Sequence, residues 1–227
     1  MEQEPFTWLG ALGLPEKIAT AGLVAGLLVV FAALVGRKLR ATDADLEPED
    51  GITARNLAEV LVEAISGLAE GVIGHGAQTY VPLLASFFVF ILACDLIGLV
   101  PGFSPPTSDF NITFGLGLVS FVAYQVAGAR EHGFRYVKQF LGSVVVLYPL
   151  MLVVELFTHA FRPVSLGIRL FANMMADHQV VEIFTGLTKI GIPVAFYGLG
   201  AFVAVVQAFV FTMLSAIYIA LAVSHDH

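Results

Sequence analysis

Charge is scarce in this chain. Only 13% of its 227 residues are Asp, Glu, Lys or Arg, against about 25% in soluble domains. With 58% hydrophobic residues and a mean hydropathy of +0.87, it holds more apolar surface than a water-soluble core of this length could bury. Positive charge is scarcer still: 11 Lys and Arg against 18 Asp and Glu leave a net charge of −7, with no basic stripe to neutralise nucleic-acid phosphates. A single cysteine, Cys94, excludes a disulfide framework. It lies within an apolar run, where it reads as a small membrane-buried residue without a redox role. No basic residue precedes Lys17, while Glu2 and Glu4 are acidic, so the positive n-region of a signal peptide is missing and the first apolar run is expected to be a retained anchor. Phosphate-cradling G-x-x-x-x-G-K, H-E-x-x-H, paired-cysteine and G-x-S-x-G motifs are all lacking. Neither ATP binding nor bond cleavage is expected of the chain itself, and no metal or cofactor.

What is present is a series of long apolar runs. Residues 18–36 carry no charge and are followed at once by Arg37, Lys38 and Arg40, which predicts a membrane span with a cytoplasmic end. Residues 42–53, rich in Asp and Glu with Pro48 and Gly51, read as a solvated loop. From Ala54 to Ile73, Leu57, Val60, Leu61, Ala64, Ile65, Leu68, Val72 and Ile73 recur at spacings of three and four, with Glu59, Glu63 and Glu70 opposite. That pattern predicts an amphipathic helix. Its acidic polar face suits a protein partner as well as it suits a membrane surface. Residues 80–100 and 112–127 are two more spans, joined by a Pro-rich turn at 101–111 without Lys or Arg and followed by Arg130, Arg135 and Lys138. The turn is therefore expected outside, together with the N-terminus. Two stretches remain, 143–187 and 193–224. As continuous helices they would measure about 67 Å and 48 Å, against a hydrocarbon core of about 30 Å. They must lie oblique, or kink, the first near Pro163. If they form one hairpin turning at 188–192, the C-terminus is cytoplasmic; two separate spans before that turn would put it outside, and Lys189 weighs against the hairpin. The expected fold is thus one all-α polytopic membrane domain over residues 1–227. Its parts are an N-terminal anchor and acidic loop (1–53), an amphipathic surface helix (54–74), a two-span hairpin (80–128) and an oblique helix pair (143–224).

Ionisable groups inside these runs mark the chemistry. Arg169 stands among residues 164–176, where every neighbour is apolar, small or uncharged. A central Arg costs about 2.5 to 3.5 kcal/mol on insertion scales, so it requires a polar interior, water or a carboxylate. Ser165 and Asn173, four residues to either side, share its helix face without neutralising it. The counter-ion must come from another helix or from a partner protein. His178, nine residues on, falls on the opposite side of the helix, four residues from Glu182, and the two are expected to pair. Asp95, Glu155, His159 and Asp177 add ionisable groups at membrane depth, with neutral Gln207, Ser215 and Tyr218 on the last helix. Gln207 and Tyr218 are within about 20° of each other on a regular helix and could line one path. A stand-alone transporter or channel accommodates buried charge and broken helices too, but no internal repeat supports it. A purely structural anchor leaves Arg169 unexplained.

The run Pro163-Val-Ser-Leu-Gly-Ile-Arg-Leu-Phe-Ala-Asn-Met-Met-Ala-Asp-His178 resembles the signature of subunit a of F-type ATP synthases. It is supported in family order by Asp95-Leu-Ile-Gly-Leu-Val-Pro-Gly102, Pro106-Thr-Ser-Asp-Phe-Asn-Ile-Thr113 and Gln207-Ala-Phe-Val-Phe-Thr212. The resemblance implies a membrane subunit of the Fo sector, in the inner membrane of a bacterium before that of a mitochondrion. It further implies two offset proton half-channels beside a ring of c subunits, and contacts with peripheral-stalk b subunits and other synthase subunits. It makes Arg169 the essential arginine, and puts Glu155, Asn173, His178 and Gln207 on positions tied to proton transfer or to the helix pair framing it. Relatives pair an acid with a histidine, one at the position of His178 and one seven residues before Gln207; here the second position is Gly200. Asp177, where the family has glycine, and Glu182 are the local candidates for the missing acid, and Asp95 a more distant one.

Overall fold

A computed structural model describes residues 15–41, 54–74, 76–100, 102–133, 148–187 and 192–224. Among them the chain is all helix: α1 Glu16–Ala41, α2 Ala54–Ile73, α3 Val81–Ile97, α4 Phe110–His132, α5 Tyr148–Leu187 and α6 Ile192–Val223. Four of the six are long and apolar enough to cross a membrane; α3, with 17 residues, is shorter. The acidic loop at 42–53, the basic residues Arg135 and Lys138, and the turn at 188–191 with Lys189 lie outside the described residues.

Local chemistry explains the breaks. Gly74 and Gly76, at φ of 77° and 86°, adopt the left-handed backbone that ends α2 and turns the chain into α3. Pro82 fits the first turn of α3, where its missing N–H costs nothing. Asp109 caps α4 by accepting a hydrogen bond from the Asn111 amide at 2.8 Å. A 3₁₀ turn over Pro106–Ser108 lies between α3 and α4.

The described parts of both long apolar stretches are single helices of 40 and 32 residues. Pro163 lies within α5 without ending it. At 1.5 Å per residue each exceeds the bilayer core, so neither stretch divides into two spans. They pack against one another, and α5 also against α4, while α3 packs on α6. The packing is close because small residues line the seams. On α6, Ala204, Ala208 and Ala216 are fully buried. Where α4 crosses α5, a β-carbon on Gly117 would stand 2.5 Å from the Pro163 carbonyl oxygen, and one on Gly167 would stand 3.0 Å from Phe114 Cα. Only glycine permits these backbones to meet.

Two buried clusters follow. One joins α3, α5 and α6 through Phe87, Ile91, Leu166, Leu170, Met174, Ala208 and Phe211, with the Phe87 and Phe211 rings edge-on at 5.5 Å. The other joins α2, α3, α4 and α6 through residues that include Ile65, Leu84, Tyr124 and Ile219. The amphipathic α2 thus buries Ile65 and Ala69, with Leu61, Leu68, Val72 and Ile73 packed alongside, but Leu57 and Val60 of its apolar stripe stay exposed. α1 is peripheral: Ile18, Leu27, Val29 and Leu34 are exposed. Its one described polar tie is Lys17 Nζ donating to the Ser108 carbonyl at 3.2 Å. That bond puts the start of α1 beside the turn at 101–111, as the charge bias requires if both lie outside.

Candidate functional site

The α5–α6 seam and its neighbours carry polar groups at three levels. At the first, Asp95 of α3 and Asp177 and His178 of α5 line one small pocket with Gly98, Leu99, Pro105, Met174 and Val181. Asp95 is fully buried. Its Oδ1 accepts from the Thr107 hydroxyl of the 3₁₀ turn, and its Oδ2 has no hydrogen-bond partner among the described residues. A β-carbon at Gly200 of α6 would stand 2.7 Å from Asp177 Oδ2 and 3.0 Å from Leu99 Cδ2. The Asp177 carboxylate therefore occupies the space over the bare backbone of Gly200.

His178 and Glu182 do not pair. Among the described residues no hydrogen bond or ion pair joins them, and Glu182 is exposed while His178 turns to the pocket. Four-residue spacing makes contact possible, but helix packing brings His178 toward α3 instead.

At the second level Asn173 Nδ2 donates to Gln207 Oε1 at 2.7 Å, bridging α5 and α6. Gln207 is buried and its Nε2 has no acceptor among the described residues. Arg169, one turn before Asn173, is exposed on a face shared with Ser165, Ile168 and Phe161. Among the described residues it makes no ion pair, so of the two sources of counter-ion left open by the sequence, another helix of the described chain is removed.

The third level lies toward the start of α5. Glu155 Oε1 is 3.1 Å from His159 Nε2, and His159 Nδ1 is 3.2 Å from the Tyr124 hydroxyl of α4. The Arg162 guanidinium lies 5.5 Å from the centroid of the Tyr124 ring and 5.2 Å from that of Tyr218, a cation–π arrangement. Beside it an open groove of about 520 Å³ is lined by Val153, Val154, Phe157, Thr158, Phe161, Arg162, Ser165 and Tyr218. Tyr218 lines this groove, and Gln207 is not among its lining residues. A further buried bond, Ser120 Oγ to Ser215 Oγ at 2.8 Å, ties α4 to α6.

Thr107, Tyr124 and Arg162 escaped the sequence reading. Thr107 and Tyr124 are polar residues of ordinary kind whose roles depend on distant partners. Arg162, next to Pro163, is a charge beside a helix-kinking residue that no motif marks.

Three levels of polar side chains along one 40-residue helix, with an exposed arginine in the middle that makes no ion pair among the described residues, describe a membrane protein that carries charge within its spans. Residues 18–220 match the ATP synthase A chain family. The chain belongs to that family. It is similar to ATP synthase subunit a of Bdellovibrio bacteriovorus, with 44% identity over 211 residues covering 92% of each chain. It is also similar to that of Geotalea uraniireducens, with 36% identity over 93% of this chain and 89% of the relative. Koribacter versatilis has a subunit a that is 42% identical over 76% of this chain and 71% of its own length. Members of the family are the proton-channel subunit of the Fo sector and are not catalytic by themselves; this chain serves ATP synthesis in the same way, as a membrane subunit in a complex with other synthase subunits.

Proposed function

We propose that the chain provides two offset half-channels to a ring of c subunits, with Arg169 as the fixed charge that meets each ring carboxylate. The observation carrying this reading is the exposure of Arg169 within a membrane-spanning helix, without an ion pair among the described residues. A guanidinium facing lipid is too costly to keep. A ring of helices presenting carboxylates would cover that face and supply the missing partner. Asp95, Asp177 and His178 form the outer half-channel, with Asp177 supplying the acid that Gly200 lacks. Ser165, Tyr218 and Glu155 line the inner one. Asn173 and Gln207 hold α5 and α6 in register between them. The acidic face of α2 docks on a peripheral-stalk b subunit, and the membrane is the bacterial inner membrane.

Arginine suits the central task. Its planar fork binds a carboxylate through two parallel hydrogen bonds and does not give up its proton, so it favours the ionised ring site and bars direct passage between half-channels. Lysine lacks the fork and releases a proton more readily when desolvated. In complexes reconstituted into vesicles, Arg169→Lys should impair ATP synthesis, and Arg169→Ala should abolish coupled synthesis and admit passive proton leak. Near-normal coupled synthesis by the alanine variant, with assembly intact, would show that Arg169 is structural.

A further inference from the structure

Two polar side chains stand behind the inner groove without lining it. Tyr124 is 1% exposed and His159 8%, and neither reaches the surface that Thr158, Arg162, Ser165 and Tyr218 form. With Glu155 they make a line of two hydrogen bonds, 3.2 Å from Tyr124 Oη to His159 Nδ1 and 3.1 Å from His159 Nε2 to Glu155 Oε1. Chemistry sets the direction of both. A carboxylate only accepts, so Nε2 carries the hydrogen; Nδ1 of the neutral ring is then a lone pair, and the Tyr124 hydroxyl donates to it. The tyrosine is itself held, by the Arg162 guanidinium on its ring and by Phe121 edge-on at 5.2 Å.

We propose that His159 is a positioning residue for Glu155, and that Tyr124 fixes the imidazole tautomer this requires. The proposal rests on Glu155 serving the inner half-channel. The Glu155 side chain is 40% exposed, so a free carboxylate there would sweep through several rotamers. Tying Oε1 to a buried ring on the next turn of α5 restricts that sweep and leaves Oε2 to exchange protons. A flexible acid thereby gains the defined geometry that proton transfer needs.

The test uses the whole synthase in vesicles, with assembly verified for each variant and ATP-driven proton pumping as the readout. His159→Leu should slow pumping about three- to tenfold, the range that one hydrogen bond commands. Tyr124→Phe keeps the ring and its cation–π contact but removes the hydroxyl, and should give a smaller loss in the same direction; it also tests the proposal if the leucine variant fails to assemble. His159→Gln, whose amide can donate to Glu155 and accept from Tyr124, should recover most of the rate. In a Glu155→Gln background His159→Leu should add no further loss, because the histidine acts through the acid. A merely structural histidine would instead add its full loss in that background, and that result would overturn the proposal. Wild-type pumping by both His159→Leu and Tyr124→Phe, beside a slow Glu155→Gln, would overturn it as well while leaving the inner half-channel standing. Wild-type pumping by Glu155→Gln would remove Glu155 from the path, and the proposal with it.

Discussion

Gly200→Ala adds one methyl group at the place where α5 and α6 bring an acid against bare backbone. The new carbon would stand 2.7 Å from Asp177 Oδ2 and 3.0 Å from Leu99 Cδ2, both inside van der Waals contact. Leu99 must give by a few tenths of an ångström. Asp177 must rotate away, since its carboxylate is the far end of a side chain. Turning a side chain off its rotamer costs about 0.5 to 1.5 kcal/mol, and overpacking a seam costs about 1 to 3 kcal/mol in all. If that cost fell wholly on the proton-transfer step, conduction would drop roughly five- to 150-fold, whereas assembly should survive a single methyl. ATP-driven acidification of vesicles measures the rate, and Gly198→Ala is the control, because a β-carbon there meets nothing within 4 Å. A second arm separates chemistry from sterics. Asp177→Gly should be slow, and combining it with Gly200→Asp, which returns the acid from the facing helix, should be faster than the single variant. Wild-type conduction by Gly200→Ala would refute the assignment of Asp177 to the outer path.

Gly117→Ala should lower the thermal stability of the complex, because its methyl would stand 2.5 Å from the backbone oxygen of Pro163, which cannot swing aside; Gly115→Ala, open to 4 Å, should not. Unchanged stability of Gly117→Ala relative to that control would show that the α4–α5 crossing tolerates separation. A photo-reactive cross-linker on Glu63→Cys, on the exposed face of α2, should capture a b subunit in the intact synthase, and capture of lipid alone would remove the stalk from that face.

The helices were legible because each is written locally. Apolar runs of spanning length give α1, α4, α5 and α6, and three-and-four spacing gives α2 over the residues it occupies, Ala54–Ile73. Arg169 was legible for the same reason, as one charge in an apolar run. What could not be read is whatever depends on which helix faces which. Tyr124 meets His159 across 35 positions and Asn173 meets Gln207 across 34, at separations on which periodicity is silent. The expected pair of His178 and Glu182 failed on the same ground. Their spacing allows contact, but packing beside α3 decides where the imidazole points. Gly200 shows the limit most clearly: as a letter it is only a missing acid, and it becomes a seat for the Asp177 carboxylate once α5 lies against α6.

The spacing of the three levels bears on how coupling is enforced. Along α5, His178 is nine residues from Arg169 and Glu155 fourteen on the other side, which at 1.5 Å per residue is about 13 Å and 21 Å of helix. Both gaps are too long for direct proton exchange, which needs hydrogen-bond contact or a bridging water. Behind Arg169 the seam is filled by Phe87, Ile91, Leu166, Leu170, Met174 and Phe211, side chains with no group to hold a proton. The described hydrogen bonds do not cross this block: the bond of Asn173 to Gln207 ends on a buried amide. An amide neither gains nor loses a proton readily, so that bond serves as a strut between helices. A proton delivered beside Asp177 therefore has no relay through the described interior to Glu155. The remaining connection is over the exposed face of α5, where Arg169 stands. If Arg169 has the role proposed above, a proton crosses that face only on a carrier that moves, and the apolar packing behind Arg169 and the charge in front of it are two halves of one barrier. On that proposal the first blocks the route through the chain, and the second leaves the route along the surface open only to a partner carboxylate.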